Sequence, residues 1–244
     1  MLIKRQIPNL LTLGNLLCGT IAIMFILKGD INTAALLVVL AAVLDFFDGF
    51  VARLLGVQGP VGKELDSLAD VVSFGVVPAY IVYQMQLGIV SEFNDGFLKQ
   101  YLPYTGFLLA AFAAYRLAKF NIDERQSYGF LGLPTPAMAL FFISLGTVES
   151  LSNGELPQFM NLIVSSPWAM LALTFLFSLL MISELPLIAM KFKGFQIKGN
   201  EFRYTLIIGF ILLPLILGWV ALPFFIIWYL LVSLVSNLVK KSSD

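Results

Sequence analysis

The chain has 244 residues with a mean hydropathy of +0.90; 59% of them are hydrophobic and 12% charged. A soluble domain is roughly 45–50% apolar and about 25% charged, so a soluble globular enzyme and a disordered chain are both excluded. Fifteen Lys and Arg balance fifteen Asp and Glu, which leaves no basic excess for nucleic acid. The single cysteine, Cys18, and the absence of histidine remove disulfides, histidine bases, histidine metal ligands and Ser-His-Asp triads.

A crossing helix needs about 20 residues. Apolar runs at 11–27, 33–55, 67–87, 103–120, 131–148, 167–190, 204–219 and 221–239 predict an all-α polytopic transmembrane bundle of about eight spans, with residues 1–244 as a single integral membrane domain. Only Gly218 and Pro223 separate the last two runs, so seven spans stay open. The head of the chain (Lys4, Arg5, Gln6) leads into Pro8-Asn9, Gly14 and Asn15 without a small-residue cleavage pattern, unlike a secretory signal peptide. With the N-terminus in the cytoplasm and eight alternating spans, all of the fifteen Lys and Arg except Lys28 and Lys99 fall on the cytoplasmic side. Both termini are therefore expected there. Asn9, Thr12 and Asn15 follow an i, i+3, i+6 pattern on the first span, in the same leaflet.

The second and third spans carry the chemistry. Asp45 and Asp48 are three apart and share a helical face with Gly49 and Ala52; Asp66 and Asp70 are four apart on one face of the next span. Gly56, Gly59, Pro60 and Gly62 lie between and read as a helix-to-helix turn, which brings four carboxylates to the cytoplasmic end of the bundle. Four acids this close stay ionised only beside a positive compensator, and Arg53 and Lys63 are the nearby cations. Oxygen-only ligands suit Mg²⁺, Mn²⁺ or Ca²⁺, and four carboxylates suffice for two ions clamping a pyrophosphate. Gly49 and Ala52 free that face for a bulky group, and Arg53 offers a fork suited to phosphate. These residues alone imply a cytoplasm-facing metal site for a phosphorylated ligand.

The pattern D-x2-D-G-x2-A-R-x8-G-x3-D-x3-D is met at every fixed position, by Asp45, Asp48, Gly49, Ala52, Arg53, Gly62, Asp66 and Asp70. In this the chain resembles the CDP-alcohol phosphatidyltransferases. Residues 65–75 (LDSLADVVSFG), 116–121 (RLAKFN), 132–136 (GLPTP), 8–15 (PNLLTLGN) and 181–183 (MIS) look like the phosphatidylserine synthase branch. The resemblance implies transfer of the phosphatidyl group from CDP-diacylglycerol to the hydroxyl of L-serine, with release of CMP. It makes Asp45, Asp48, Asp66 and Asp70 ligands of a two-metal site, with Asp70, next to Asp66, as the catalytic base. It places Gly49, Ala52, Arg53 and Gly62 on the CDP moiety, where Asn9, Thr12 and Asn15 are further candidate contacts. It also implies a homodimer in a prokaryotic cytoplasmic membrane, among membrane lipids.

Serine is a zwitterion and needs polar partners. Arg116, near the cytoplasmic end of the fourth span, is the candidate for its carboxylate or for phosphate, with Lys119 and Asn121 just beyond; the bland alternative is that both cations only anchor the span. Three rival functions stand beside this one. A sister enzyme would use glycerol 3-phosphate, inositol phosphate or choline, and a phosphorylated acceptor calls for more basic residues than lie here. A cation-coupled transporter also buries aspartates, yet no internal repeat is visible and the acids gather at one membrane face. An intramembrane aspartyl protease needs neither the second pair of aspartates nor Arg53.

Overall fold

The computed structural model describes residues 2–91, 94–123, 130–152, 156–188, 196 and 199–241. It is helical almost throughout. Helix α1 (Leu2–Leu27) starts nine residues before the apolar run, because its polar head continues the helix. Pro8 lies within it and forfeits a single backbone bond close to the helix end, where the loss is small. Asp30 caps α2 (Ile31–Leu54), accepting from the Thr33 N–H at 3.0 Å; the Thr33 hydroxyl and this N–H together hold its carboxyl below the usual range. Helix α2 ends at a turn in which Gly56 has φ +62°, a conformation glycine adopts at no steric cost.

Pro60 at the first position opens α3 (Pro60–Asp70) after an extended Gly59. Directly behind Asp70 the rod widens into a π turn (Val71–Val76) and then continues as α4 (Val77–Val90). Gly62 therefore sits inside a helix, not in the turn expected from the sequence. Helix α5 (Gly96–Tyr101) and a 3₁₀ turn (Leu102–Phe107) lead into α6 (Leu108–Ile122). Strand β1 (Phe130–Leu131) pairs antiparallel with β2 (Pro186–Leu187), Phe130 opposite Leu187. Between these strands lie α7 (Thr135–Leu151), α8 (Gln158–Val164) and α9 (Pro167–Ile182), the last two bent by 77°.

Helices α10 (Glu201–Leu217) and α11 (Leu222–Lys241) are joined by a 3₁₀ turn at Gly218–Ala221. They fold back on each other. Trp228 Nε1 donates to the Thr205 carbonyl at 3.3 Å, and the Phe210 and Phe225 rings lie 5.4 Å apart. In a straight helix Thr205 and Trp228 would be roughly 35 Å apart. Gly209 admits this approach, since a side-chain carbon there would collide with the Trp228 indole.

Among the described residues, four apolar helical stretches are long enough to cross a membrane: Gln6–Leu27, Ile31–Leu54, Pro60–Val90 and Glu201–Val239, the last of which holds the folded-back α10 and α11; the bent α8–α9 pair is a fifth when taken as one broken span. Helix α1 is the hub. It packs along α2 through small residues (Ala22, Ala34, Ala41) and also against α3, the π turn and α4. Helices α2 and α3 were expected to be direct neighbours. They face each other over α1, against which both pack, and their carboxylates meet. The apolar core runs from α1 and α2 through α4 to α7 and α9, where Phe141 stacks on Phe177 at 4.1 Å.

Candidate active site

One face of α2 carries Asp45, Asp48, Gly49 and Ala52, while Phe46, Phe47 and Phe50 point outward as an exposed aromatic cluster. The helical period thus sorts an alternating D-F-F-D-G-F string into an acidic inner face and an apolar outer one. Helix α3 turns Asp66 and Asp70 toward the same place. The carboxylates of Asp45, Asp48 and Asp66 come together with one oxygen from each within 4.8 Å of the others. Asp70 stands at the edge of this group, within hydrogen-bond reach of Asp45, and is buried. The four predicted acids are therefore together, as a triplet with a fourth beside it.

Among the described residues no lysine or arginine forms an ion pair with any of the four. Arg53 is exposed, within electrostatic reach of Asp48, and its guanidinium lies across Gly49. Ionised carboxylates 4.8 Å apart repel by about 3 kcal/mol per pair at an effective dielectric near 20. Such a set stays charged only with a cation among its oxygens. The donor chemistry, carboxylate oxygen without nitrogen or sulfur, fits a hard divalent ion.

An open cleft of about 770 Å³ leads to the cluster between α2 and α3, with α1 as its floor. Asp48 and Asp66 face it. So do Asn9, Thr12, Gly49, Ala52 and Gly62, five of the seven residues expected on the CDP moiety. Gly62 approaches Asn9 across the cleft: a side-chain carbon at position 62 would lie 3.5 Å from Asn9 Oδ1. Lys63 and Gln58 also line the space, and neither was singled out as a contact. Their signal in the sequence was only proximity to the glycines.

Two residues of α1 have partners that the sequence did not reveal. The Thr12 hydroxyl donates to Asp48 Oδ2 at 2.5 Å, and the Asn15 amide donates to Asp70 Oδ1 at 3.2 Å. Asn15 is fully buried and does not line the cleft. Their i, i+3 spacing marked them as a pair, but nothing in the spacing told carboxylate partners from CDP contacts.

Of the residues expected near serine, Arg116 and Lys119 share one hollow and Asn121 lies elsewhere. Arg116 of α6 is buried, within electrostatic reach of Asp70, with its guanidinium 5.7 Å from the Phe120 ring and its Nε without a hydrogen-bond partner among the described residues. It borders a small hollow with Lys119, Asp123, Ser183 and Glu184. Lys119 pairs with Glu184 at 3.8 Å on the surface. Asn121 lies apart from this hollow: its amide donates to Ser67 Oγ at 2.9 Å and its carbonyl accepts from Lys63 Nζ at 2.7 Å, which braces the end of α6 against α3. Gly132 (φ +74°) seats the segment before α7 on the end of α9, where a side-chain carbon would lie 2.6 Å from the Met181 carbonyl. Arg125, Lys191, Lys193 and Lys198 lie outside the described residues.

Known proteins resemble this chain in sequence. The chain is 36% identical over 145 residues to CDP-diacylglycerol–serine O-phosphatidyltransferase of Bacillus subtilis, covering 58% of this chain and 75% of that one. It is 38% identical over 138 residues to the enzyme of that name from Helicobacter pylori, covering 56% and 55%. It is 34% identical over 138 residues to archaetidylserine synthase of Methanothermobacter thermautotrophicus, covering 55% and 54%. The chain thus spans about half the length of the last two. The sequence profile of the CDP-alcohol phosphatidyltransferases matches residues 5–236. With all four aspartates and the whole cleft inside that match, the chain belongs to the CDP-alcohol phosphatidyltransferase family.

Proposed function

We propose that this protein is a CDP-diacylglycerol–serine O-phosphatidyltransferase, which moves the phosphatidyl group of CDP-diacylglycerol to the hydroxyl of L-serine and releases CMP. The observation that carries the reading is the complete motif folded into one acidic cluster at the head of a cleft. The names of the relatives support serine as the acceptor. The family is divalent-metal dependent. Asp45, Asp48 and Asp66, with Asp70 beside them, would hold the metal, taken here as two Mg²⁺ or Mn²⁺ ions, with Ca²⁺ a third candidate. When bound, such ions neutralise the pyrophosphate and the charge that develops on CMP.

The chain's own residues have these roles in the proposal. Gly49, Ala52 and Gly62 leave the cleft wall free of bulk for the cytidine diphosphate, Asn9 lies within reach of it, and Arg53 faces phosphate from the rim. Arg116 receives the serine carboxylate, with Lys119 near the entrance. Asp70 takes the proton of the serine hydroxyl as that oxygen attacks the phosphorus bearing diacylglycerol. The new bond is serine oxygen to phosphorus, and the bond that breaks joins this phosphorus to the oxygen of CMP. Histidine is absent and Cys18 is packed in the core, so neither is at hand to carry the phosphatidyl group, and one direct displacement is the route. The whole chain acts as one membrane domain of eight spans, with both termini and the cluster on the cytoplasmic side, in line with the distribution of Lys and Arg. It works as a homodimer, an expectation carried by the family resemblance.

The test is CMP release from CDP-diacylglycerol by purified protein in detergent, with Mg²⁺, Mn²⁺ or EDTA, and with serine, glycerol 3-phosphate or inositol phosphate as acceptor. Release that needs both serine and a divalent ion is the expected result. Release with another acceptor moves the protein to a sister branch. Its absence with every acceptor refutes the transferase reading.

A further inference from the structure

The carboxylate proposed as the base is the one outside the metal-ligand triplet, and its orientation is set from α1. Asn15 grips both sides of the point where the rod changes from α to π. Its side-chain amide donates to Asp70 Oδ1 at 3.2 Å, on the last α residue. Its main-chain carbonyl accepts from Ser73 Oγ at 3.0 Å, three residues on and inside the π turn. A π turn has no sequence signature, adds a residue to the helical circuit and re-aims the side chains beside it. Gly19, one turn along α1, lets that turn touch the α1 backbone: a side-chain carbon there would lie 2.4 Å from Ser73 Oγ and 2.8 Å from its Cα.

A carboxylate only accepts, so the amide must present its NH₂ to Asp70. That N–H engages one lone pair of Oδ1 and fixes the turn of the carboxylate, so that Oδ2 is the oxygen α1 leaves unengaged, toward Asp45 and a cation. Asn15, Asp70 and Ser73 are all buried, so no water competes for these bonds.

We propose that Asn15 is a positioning residue for the transfer reaction: it fixes the rotamer of Asp70, through the π turn, and thereby selects which carboxylate oxygen works. This differs from the CDP contact expected of Asn15 from the sequence, and it rests on the metal-dependent transferase reading above. Partners that orient metal-site carboxylates cost about 10–100-fold in metal affinity or activity when removed.

The experiment uses the full-length protein in detergent and the variants Asn15→Leu, Asn15→Ala and Asn15→Gln. Mn²⁺ binding is titrated by electron paramagnetic resonance without substrate, and KM and kcat are measured separately. The expected result for Leu and Ala is weaker Mn²⁺ binding and a lower kcat, each by about 10–100-fold, with the KM for CDP-diacylglycerol within about twofold. Gln, which keeps an amide donor, recovers part of both. Unchanged Mn²⁺ binding and kcat in a folded Leu or Ala variant overturns the proposal. A raised KM for CDP-diacylglycerol with unchanged Mn²⁺ binding overturns it in favour of a CDP contact. If neither variant folds, Asn15 is a packing residue and the proposal falls. Wild-type protein that binds no Mn²⁺ refutes the metal reading itself, which is distinct from wild-type binding that the variants leave intact.

Discussion

Gly19→Ala probes the contact between α1 and the π turn without removing a polar group. The new methyl would sit 2.4 Å from Ser73 Oγ, 2.8 Å from Ser73 Cα and 3.0 Å from Ser73 Cβ. Two of these atoms are backbone or rigidly tied to it, so rotation of the hydroxyl relieves only the first. Ordinary carbon–carbon contact begins near 3.5 Å, so the helices must part by about 0.7 Å. Overpacking of this kind costs about 1–3 kcal/mol. The Ser73–Asn15 bond, now 3.0 Å, stretches beyond useful length and loses about 1 kcal/mol. Alanine returns about 1 kcal/mol of helix propensity over glycine. The net loss is about 2 kcal/mol, which in a chain of this length lowers Tm by about 4–8 °C. Asp70 moves with the π turn, and misplacement on the scale of 1 Å costs about 100-fold in rate. Gly14→Ala is the control, because its methyl meets only the end of the Leu44 side chain, at 3.2 Å. Scanning fluorimetry in detergent and CMP release measure both effects. A Gly19→Ala protein with wild-type Tm and turnover would show that the π turn is not pressed against α1, and the argument would fail.

Asp48→Asn and Asp66→Asn are expected to remove turnover while each protein still extracts as a monodisperse species. Full CMP release by both would sink the metal-site argument. Arg116→Ala should raise the KM for serine several-fold more than the KM for CDP-diacylglycerol; equal effects would return Arg116 to an anchoring role.

The acids were legible because each pair obeys a helical period, Asp45 with Asp48 and Asp66 with Asp70, and because lone acids in apolar helices have few uses. The residues that hold them were not. Thr12 and Asn15 were visible as polar positions on α1, but choosing between a carboxylate and a ligand as their partner requires knowing that α1 packs under α2 and α3 together. Ser73 donates to the Asn15 carbonyl from inside the π turn, whose place along the rod no sequence pattern marks. Gly62 was placed in a turn because glycine usually marks one; here the turn ends at Pro60, and Gly62 spends its missing side chain on cleft width. Apolar runs marked apolar helices but not where they break. The bend between α8 and α9 follows Ser165-Ser166-Pro167, and α10 and α11 separate at Gly218, where φ is +57°.

The cleft between α2 and α3 has a wet wall and a greasy rim. Val61 on its edge is 72% exposed, as is Leu54 at the end of α2. In the proposed reaction a donor lipid slides in edgewise with its tails still solvated by neighbouring lipids, and the product leaves by the same door. Such an enzyme samples its lipid in two dimensions. Its rate is then expected to follow the mole fraction of donor in the bilayer rather than the amount per volume, so that added inert lipid slows it as an inhibitor would.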